Sequence, residues 1–382
     1  MIRTVLFDVD GVMLSEERYF DASALTVHEL LFSKQYLGWE SGELNDFQAN
    51  PTESTVRAIR QAVFADDAVL RRMKQVGVNA NWDMVYIQVV VQLAALIRSW
   101  TELRGAKEVV RQLRDKTVNG WDRHVLSWLG GRLREDGVHH PIVFANALPV
   151  LNRVVSKSAL FEQTDALLTE FLLETVTGFE SKRALWDVGR QTFQEWYLGD
   201  QFVPETRQPG KRGFLKDEIV LVPVDEFSRL LQDCRMNGIE IGIATGRPTI
   251  ETRVPLGELG WLQFFDDARI TTASDVLAAE QNAPATAPLS KPHPYSYLRS
   301  YLKSLPAQEV LEFKLPLEHG VANEVLVVGD SVADCLAAQA MGSRFAAVLT
   351  GLEGEAARAQ FSELGSDYIL RDVLELRTVL FP

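Results

Sequence analysis

Cysteine is nearly missing from this sequence. Cys234 and Cys335 are the only two in 382 residues, too few for a disulfide framework or a cysteine-built zinc site. They read as buried apolar thiols in a reducing compartment, Cys335 packed under the helix that carries Asp334. Histidine is sparse too. The adjacent His139 and His140 in "EDGVHHPI" lack further ligands at metal-binding spacing and read as a loop pair.

Positive charge is in deficit. The 39 Lys and Arg face 52 Asp and Glu, a net charge of −13. A surface of that sign repels phosphate backbones and anionic lipid, so neither nucleic acid nor a membrane is the expected partner. A small anionic substrate would need a local positive site.

Long hydrophobic runs are also missing. The longest apolar stretch, "MVYIQVVVQLAALI" (84–97), is interrupted by Gln88 and Gln92. It falls short of the ~18–20 residues a membrane span needs and is expected to be a buried helix. The N-terminal "VLFDVDG" puts acids where a signal peptide needs apolar residues, and the expected location is cytoplasmic.

What is present is 46% hydrophobic and 24% charged residues, enough for sizeable cores in a globular protein of two or three domains. Two textures divide the chain. Residues 2–7 read as a short buried strand. From 15 to 212 apolar residues recur at three- and four-residue spacing, as in "ALTVHELLFSKQYL", "ALLTEFLLETVTGF" and "TFQEWYLG", which predicts helices. Seven of the eight tryptophans lie there and read as core. After the Gly/Pro/basic joint "RQPGKRGF", short apolar runs alternate with helical segments. Strands are expected at 239–246, 268–272, 324–331, 344–351 and 366–370, with helices at 225–236, 249–259, 294–304, 333–341 and 371–380. The Ala/Pro-rich 278–290 reads as a surface connection. This alternation predicts a doubly wound parallel α/β sheet built from residues 1–14 and 213–382. The helical 15–212 becomes an insertion after the first strand.

In such a sheet, function collects at the carboxyl ends of the strands. The first strand ends in "DVDGV" (Asp8, Asp10, Gly11). The second ends in "ATGRP" (Thr245, Gly246, Arg247). The fourth ends in "VVGDSVADC" (Gly329, Asp330, Ser331, Asp334). A lysine before proline, Lys291 in "SKPHPY", opens the helix before that fourth strand, with His293 at the helix entry. Alone, each is an ordinary turn or helix start; together and in order they make a site. Two unit charges about 4 Å apart repel by on the order of 4 kcal/mol at an effective dielectric near 20. Four clustered carboxylates therefore call for a cation, and hard oxygen ligands with room for water suit Mg²⁺. One Mg²⁺ and Lys291 still leave a net −1. Backbone N–H groups at the Gly11 turn and after Thr245 must supply the remaining positive potential to a bound anion.

This ordered set resembles the haloacid dehalogenase-like superfamily of aspartate-nucleophile hydrolases, over roughly residues 1–14 and 215–382. The insertion occupies the position of that superfamily's helical C1 cap, though it is considerably larger. The resemblance implies that Asp8 is the nucleophile and Asp10 the general acid and base. It implies that Thr245 and Lys291 hold the phosphate, and that Asp330 binds Mg²⁺ with Asp8 and the Asp10 carbonyl. Asp334 would support the metal water or the lysine, with Gly11, Gly246 and Ser331 completing the phosphate and metal surroundings. The activity implied is Mg²⁺-dependent hydrolysis of a small phosphorylated metabolite.

Asp10 separates this reading from the dehalogenase and phosphonate-cleaving branches, which resemble the core but lack an acid there. A phosphomutase shares the whole set, and a non-catalytic binding protein on the same core is the alternative from another class. The segment "GVMLSEERYF" departs from many relatives, with Ser15, Glu16 and Arg18 where they carry an acid and a small hydroxyl residue. Arg18, Lys211 and Arg212 read first as solvated charges, with recognition of a substrate anion as the alternative.

Overall fold

The computed structural model of the chain describes residues 1–40, 47–78, 80–172, 184–203 and 205–381. The chain forms two compact units, Met1–Glu17 with Leu215–Pro382, and Arg18–Phe214.

The first unit is built on six parallel strands: β1 (Thr4–Phe7), β2 (Glu240–Ala244), β3 (Ile270–Thr271), β4 (Val325–Gly329), β5 (Arg344–Val348) and β6 (Tyr368–Leu370). Their order is β3-β2-β1-β4-β5-β6. The direction of winding reverses at β1, which lies between β2 and β4. Each expected strand is present, shortened at its ends to the residues that pair. Strand residues alternate between two cores, as a period of two requires. On one face Val5, Phe7, Ile241, Ile243, Leu326 and Val328 pack with Phe227, Leu230, Trp261 and Leu376. On the other, Leu6, Ala244, Val325 and Val327 pack with Tyr295, Leu298, Cys335 and Met341. Helices therefore cover both faces, and a parallel sheet buried on both sides needs apolar residues at nearly every position. β1 meets that demand, with all four residues buried. Fully burying a side chain such as Phe7 is worth roughly 2–3 kcal/mol.

The helices of this unit follow the expected positions, including Val224–Met236, Thr249–Glu258, Tyr295–Tyr301 and Val332–Met341. Short helices at Ala307–Leu311, His319–Ala322 and Arg358–Glu363 were not expected, and two further segments differ. The expected 371–380 helix is divided into a 3-10 turn at Val373–Glu375 and a short helix at Leu376–Leu380. The 278–290 connection is helical at its start, because Ala273–Asn282 runs into it ahead of the exposed 284–288. A capping box between Thr272 and Asp275 sets the start of that helix, a stronger signal than its Ala/Pro composition.

The second unit is helical, and no strand occurs among its described residues. Its helices include Glu17–Phe32, Glu53–Val63, Ala68–Gln75, Asn81–Arg104, Ala106–Lys116, Arg123–Glu135, Lys157–Leu172 and Ala184–Leu198. The expected helix in "ALLTEFLLETVTGF" is present through residue 172, and its remainder lies outside the described residues. Glu53–Val63 is amphipathic, burying Val56, Ile59, Arg60 and Val63, with Thr52 accepting the Thr55 N–H as its N-cap. The stretch 84–97 belongs to the longer helix Asn81–Arg104. Its 24 residues make it long and apolar enough to cross a membrane by length and composition, which the shorter apolar run did not predict. The extra turns come from polar ends, and 78% of its most apolar window is buried inside the protein. Gln88 and Gln92 do not interrupt it: their side-chain amides donate to the Val63 and Val143 carbonyls. Trp39, Trp100, Trp121 and Trp196 are buried in this unit.

Two charged residues expected at the surface are inside. Arg18 is 6% exposed, its Nη1 3.1 Å from both Asp21 Oδ2 and Glu53 Oε2. Lys211 is 2% exposed, with Nζ 2.9 Å from Glu29 Oε2 and 2.7 Å from Glu195 Oε2. Helix Glu17–Phe32 is buried on nearly all sides, so its acids require buried partners. Arg212 is exposed. His140 Nδ1 is 3.0 Å from Ser99 Oγ, and the His140 carbonyl accepts the Trp39 indole N–H.

Candidate active site

The sheet register determines where the site lies. Phe7 pairs with Ile243 on β2 and with Val328 on β4. The residues that follow these three strands, Asp8, Thr245 and Asp330, therefore emerge on one edge, where the winding reverses. The Asp8 N–H still donates to the Val328 carbonyl at 2.9 Å, so Asp8 leaves the strand held in place.

Asp8 is nearly buried. Its Oδ1 accepts the Val9 N–H at 2.7 Å, and its Oδ2 lies 2.8 Å from Lys291 Nζ. The same ammonium is 2.8 Å from Asp334 Oδ1 and sits 4.7 Å from the Tyr297 ring centroid. Asp334 is fully buried and fully engaged. Its Oδ1 also accepts the Tyr297 hydroxyl, and its Oδ2 accepts the Ser331 hydroxyl and N–H. Ser331 and Asp334 form the capping box of helix Val332–Met341, which fixes the spacing "GDSVAD".

Asp330 is different. Ligand-capable oxygens of Asp8, Asp330 and Asp334 lie within 4.8 Å of one another, yet no hydrogen bond reaches the Asp330 carboxylate from the described residues. Two glycines make its seat. A Cβ at Gly11 would lie 2.0 Å from Asp330 Oδ2, and one at Gly351 would lie 2.1 Å from it. Gly11 also has φ of +70°, which the turn after Asp10 requires and L side chains rarely adopt. The Thr350 hydroxyl donates to the Gly11 carbonyl at 2.5 Å and locks the two glycine segments together.

The electrostatics show a cluster short of positive charge. Burial pushes Asp8 up to about 7; Lys291 opposes this, while Asp334 and Asp10 reinforce it. Burial, then Asp334, Glu16, Asp8 and Asp10, raise Asp330 well above the ordinary carboxyl range. Burial would also raise Asp334, but Lys291 and the bonds from Ser331 and Tyr297 outweigh it and hold it low. Burial alone would lower Lys291, and the two carboxylates raise it instead. One ammonium cannot neutralise three carboxylates. The acidic triad of Asp8, Asp330 and Asp334, with its all-oxygen donor set, could hold a metal ion.

Thr245 is buried at the end of β2, its N–H donating to the Thr271 carbonyl. Its Oγ1 accepts the Arg247 N–H at 3.1 Å, which leaves the hydroxyl proton for another acceptor. Gly246 is exposed, and a Cβ there would meet nothing within 4 Å. Nδ1 of His293 accepts the Tyr295 N–H at the helix entry, and burial lowers the ring's pKa. Cys335 is buried inside the Asp334 helix.

Besides Gly351, the sequence reading missed Tyr297 and Arg247. Tyr297 lies in the first turn of the helix after Lys291 and looks like core. Arg247 follows Thr245 in the same tripeptide and received no role. It is 1% exposed, with Nε and Nη2 donating to Asp10 Oδ1 at 2.8 and 2.6 Å. Its Nη1 pairs with Glu218 and donates to the Glu251 carbonyl. The signal available was position: an arginine two residues after a strand-end threonine, on the strand beside β1.

The profile of the haloacid dehalogenase-like hydrolases matches residues 143–342. An X-ray structure from a structural genomics consortium is 36% identical, covers 99% of this chain and 98% of its own, and superposes with a TM-score of 0.86. More distant structures include a hydrolase from Pseudomonas syringae (14% identity, 99% and 97% coverage, TM-score 0.36). Another is a HAD-hydrolase from Bacillus subtilis bound to magnesium (16% identity, 100% and 99% coverage, TM-score 0.38). No curated protein matches the chain. With half of its length matched by the family profile, a six-stranded parallel sheet and a helical region between β1 and β2, this chain belongs to the haloacid dehalogenase-like hydrolases, a family made up generally of phosphatases.

Proposed function

We propose that this protein hydrolyses the phosphate monoester of a small metabolite through a phosphoryl group carried on Asp8. The observation that carries the reading is the placement of Asp8. It stands at the end of the central strand, 2.8 Å from Lys291 Nζ and beside the unbonded Asp330. A carboxylate attacks phosphorus competently only where the phosphoryl charge is neutralised and the approach is in line.

Asp8 and Asp330, with the Asp10 carbonyl, would hold Mg²⁺, since both Asp334 oxygens are already engaged. When bound, the ion supplies charge neutralisation for the phosphoryl oxygens. The chain's own residues do the rest. Lys291 and the Thr245 hydroxyl bind phosphoryl oxygens, and Lys291 aims Asp8. An Asp8 oxygen forms a bond to phosphorus as the ester P–O bond breaks, and Asp10 gives its proton to the departing oxygen. Asp10 then takes a proton from water, the water oxygen bonds to phosphorus, and the Asp8–phosphorus bond breaks to release inorganic phosphate.

The test is a panel of phosphorylated metabolites with Mg²⁺, scored for inorganic phosphate. Phosphate release from at least one member, lost in Asp8→Asn, is the expected result. Transfer of the phosphoryl group to a second sugar phosphate without net release identifies a mutase instead. Ligand binding with no turnover identifies a binding protein.

A further inference from the structure

The Arg247 guanidinium is planar and rigid, and it is held on several sides within the first unit. Its backbone N–H donates to Thr245 Oγ1, and its carbonyl accepts the Ala273 N–H. Its side chain is clamped by Glu218, 3% exposed, and by the Glu251 carbonyl. Glu218 adjoins the segment that pairs with the first crossing of the chain. The Ser15 N–H donates to the Ile219 carbonyl, and the Leu221 N–H to the Met13 carbonyl. What this assembly presents to Asp10 is a fork that closes on one oxygen. Nε and Nη2 both donate to Oδ1, while Oδ2 takes no hydrogen bond from the described residues. The Asp10 side chain is 24% exposed.

We infer that Arg247, clamped by Glu218, is the positioning residue for Asp10. It anchors Oδ1 so that Oδ2 faces the leaving oxygen and, in the second step, the water. A flexible carboxylate would sample several rotamers, and misdirection of a proton donor by about 1 Å can cost roughly a hundredfold in rate. The anchor is itself held, since a buried arginine needs charge partners and Glu218 supplies one. The same tripeptide thus supplies the phosphate-binding Thr245 and the aim of the proton-transfer group. This inference rests on the role of Asp10 in the proposed function.

The test measures kcat and KM on aryl phosphates with good and poor leaving groups for the wild type, Asp10→Asn, Arg247→Met, Arg247→Lys and Glu218→Gln. A poor leaving group needs the proton and a good one does not. Arg247→Met should lower kcat on poor leaving groups about ten- to a hundredfold more than on good ones, with KM within about twofold. Arg247→Lys should recover part of the loss, and Glu218→Gln should show a smaller loss of the same kind. If Arg247→Met does not fold, Glu218→Gln carries the test. Equal losses on both classes, or a raised KM with kcat retained, overturn the positioning role while Asp10→Asn remains selective. If Asp10→Asn is itself unselective, the acid assignment fails and the positioning role falls with it.

Discussion

Lys291 Nζ lies 2.8 Å from Asp8 Oδ2 and is equally close to Asp334, so a single ammonium ties the residue at the end of the central strand to the helix after β4. Lys291→Met should lower kcat by roughly a hundredfold or more, the scale seen when one charge-stabilising donor is lost. Lys291→Arg should recover little, because its planar fork does not fit a point charge between two carboxylates. Steady-state kinetics on the best substrate checks both. Near-normal turnover in Lys291→Met would remove the lysine from the site.

The glycine seat predicts a metal phenotype from a methyl group. Gly351 lacks a positive φ, so Ala fits its backbone, but the new Cβ falls on Asp330 Oδ2. Gly351→Ala should weaken Mg²⁺ binding at least about tenfold, the loss expected when a ligand carboxylate is displaced. Calorimetric Mg²⁺ titration reads this directly. Chelation of the wild type should abolish turnover, and added Mg²⁺ should restore it. Unchanged affinity in Gly351→Ala would show that Asp330 is not a ligand.

The helical unit carries its own pH dependence. Burial pushes Glu29 from its ordinary 4.5 up to about 7, with Lys211 opposing and Glu195 adding to the rise. A carboxyl raised on folding favours the folded state fully below 4.5, and that contribution is lost as pH rises through 7. The loss for this group is on the order of 3 kcal/mol. Glu29→Gln should therefore flatten the change in stability between pH 5 and 8. Denaturant unfolding followed by tryptophan fluorescence reports on this unit, which holds seven of the eight tryptophans. An unaltered pH profile would assign the dependence to other groups.

What the sequence made legible and what it concealed have separate physical causes. β1, β2 and β4 are apolar runs that stop at polar strand ends, so both the sheet and the residues on its edge could be read in order. The glycine seat was half visible, since Gly11 belongs to the turn, while Gly351 lies 21 residues beyond Asp330 and only β5 brings it back. Buried charge was the hard part. Arg247 meets Asp10 across 237 residues and Glu218 across 29. Lys211 meets Glu29 across 182. Such pairs leave no local period, and composition places their members at the surface. The helical run "ALTVHELLFSKQYL" overlaps helix Glu17–Phe32 only from Ala24 onward, and the acids of that helix gave no sign of being buried.

The central claim is that Asp8 carries the phosphoryl group. The measurement is acid quench during steady-state turnover, followed by mass analysis of the N-terminal peptide. The peptide should gain the mass of one phosphoryl group on Asp8 during turnover, the adduct should decay when substrate runs out, and Asp8→Asn should neither form it nor turn over. Sustained turnover by Asp8→Asn, or a phosphoryl group found on another residue, would contradict it.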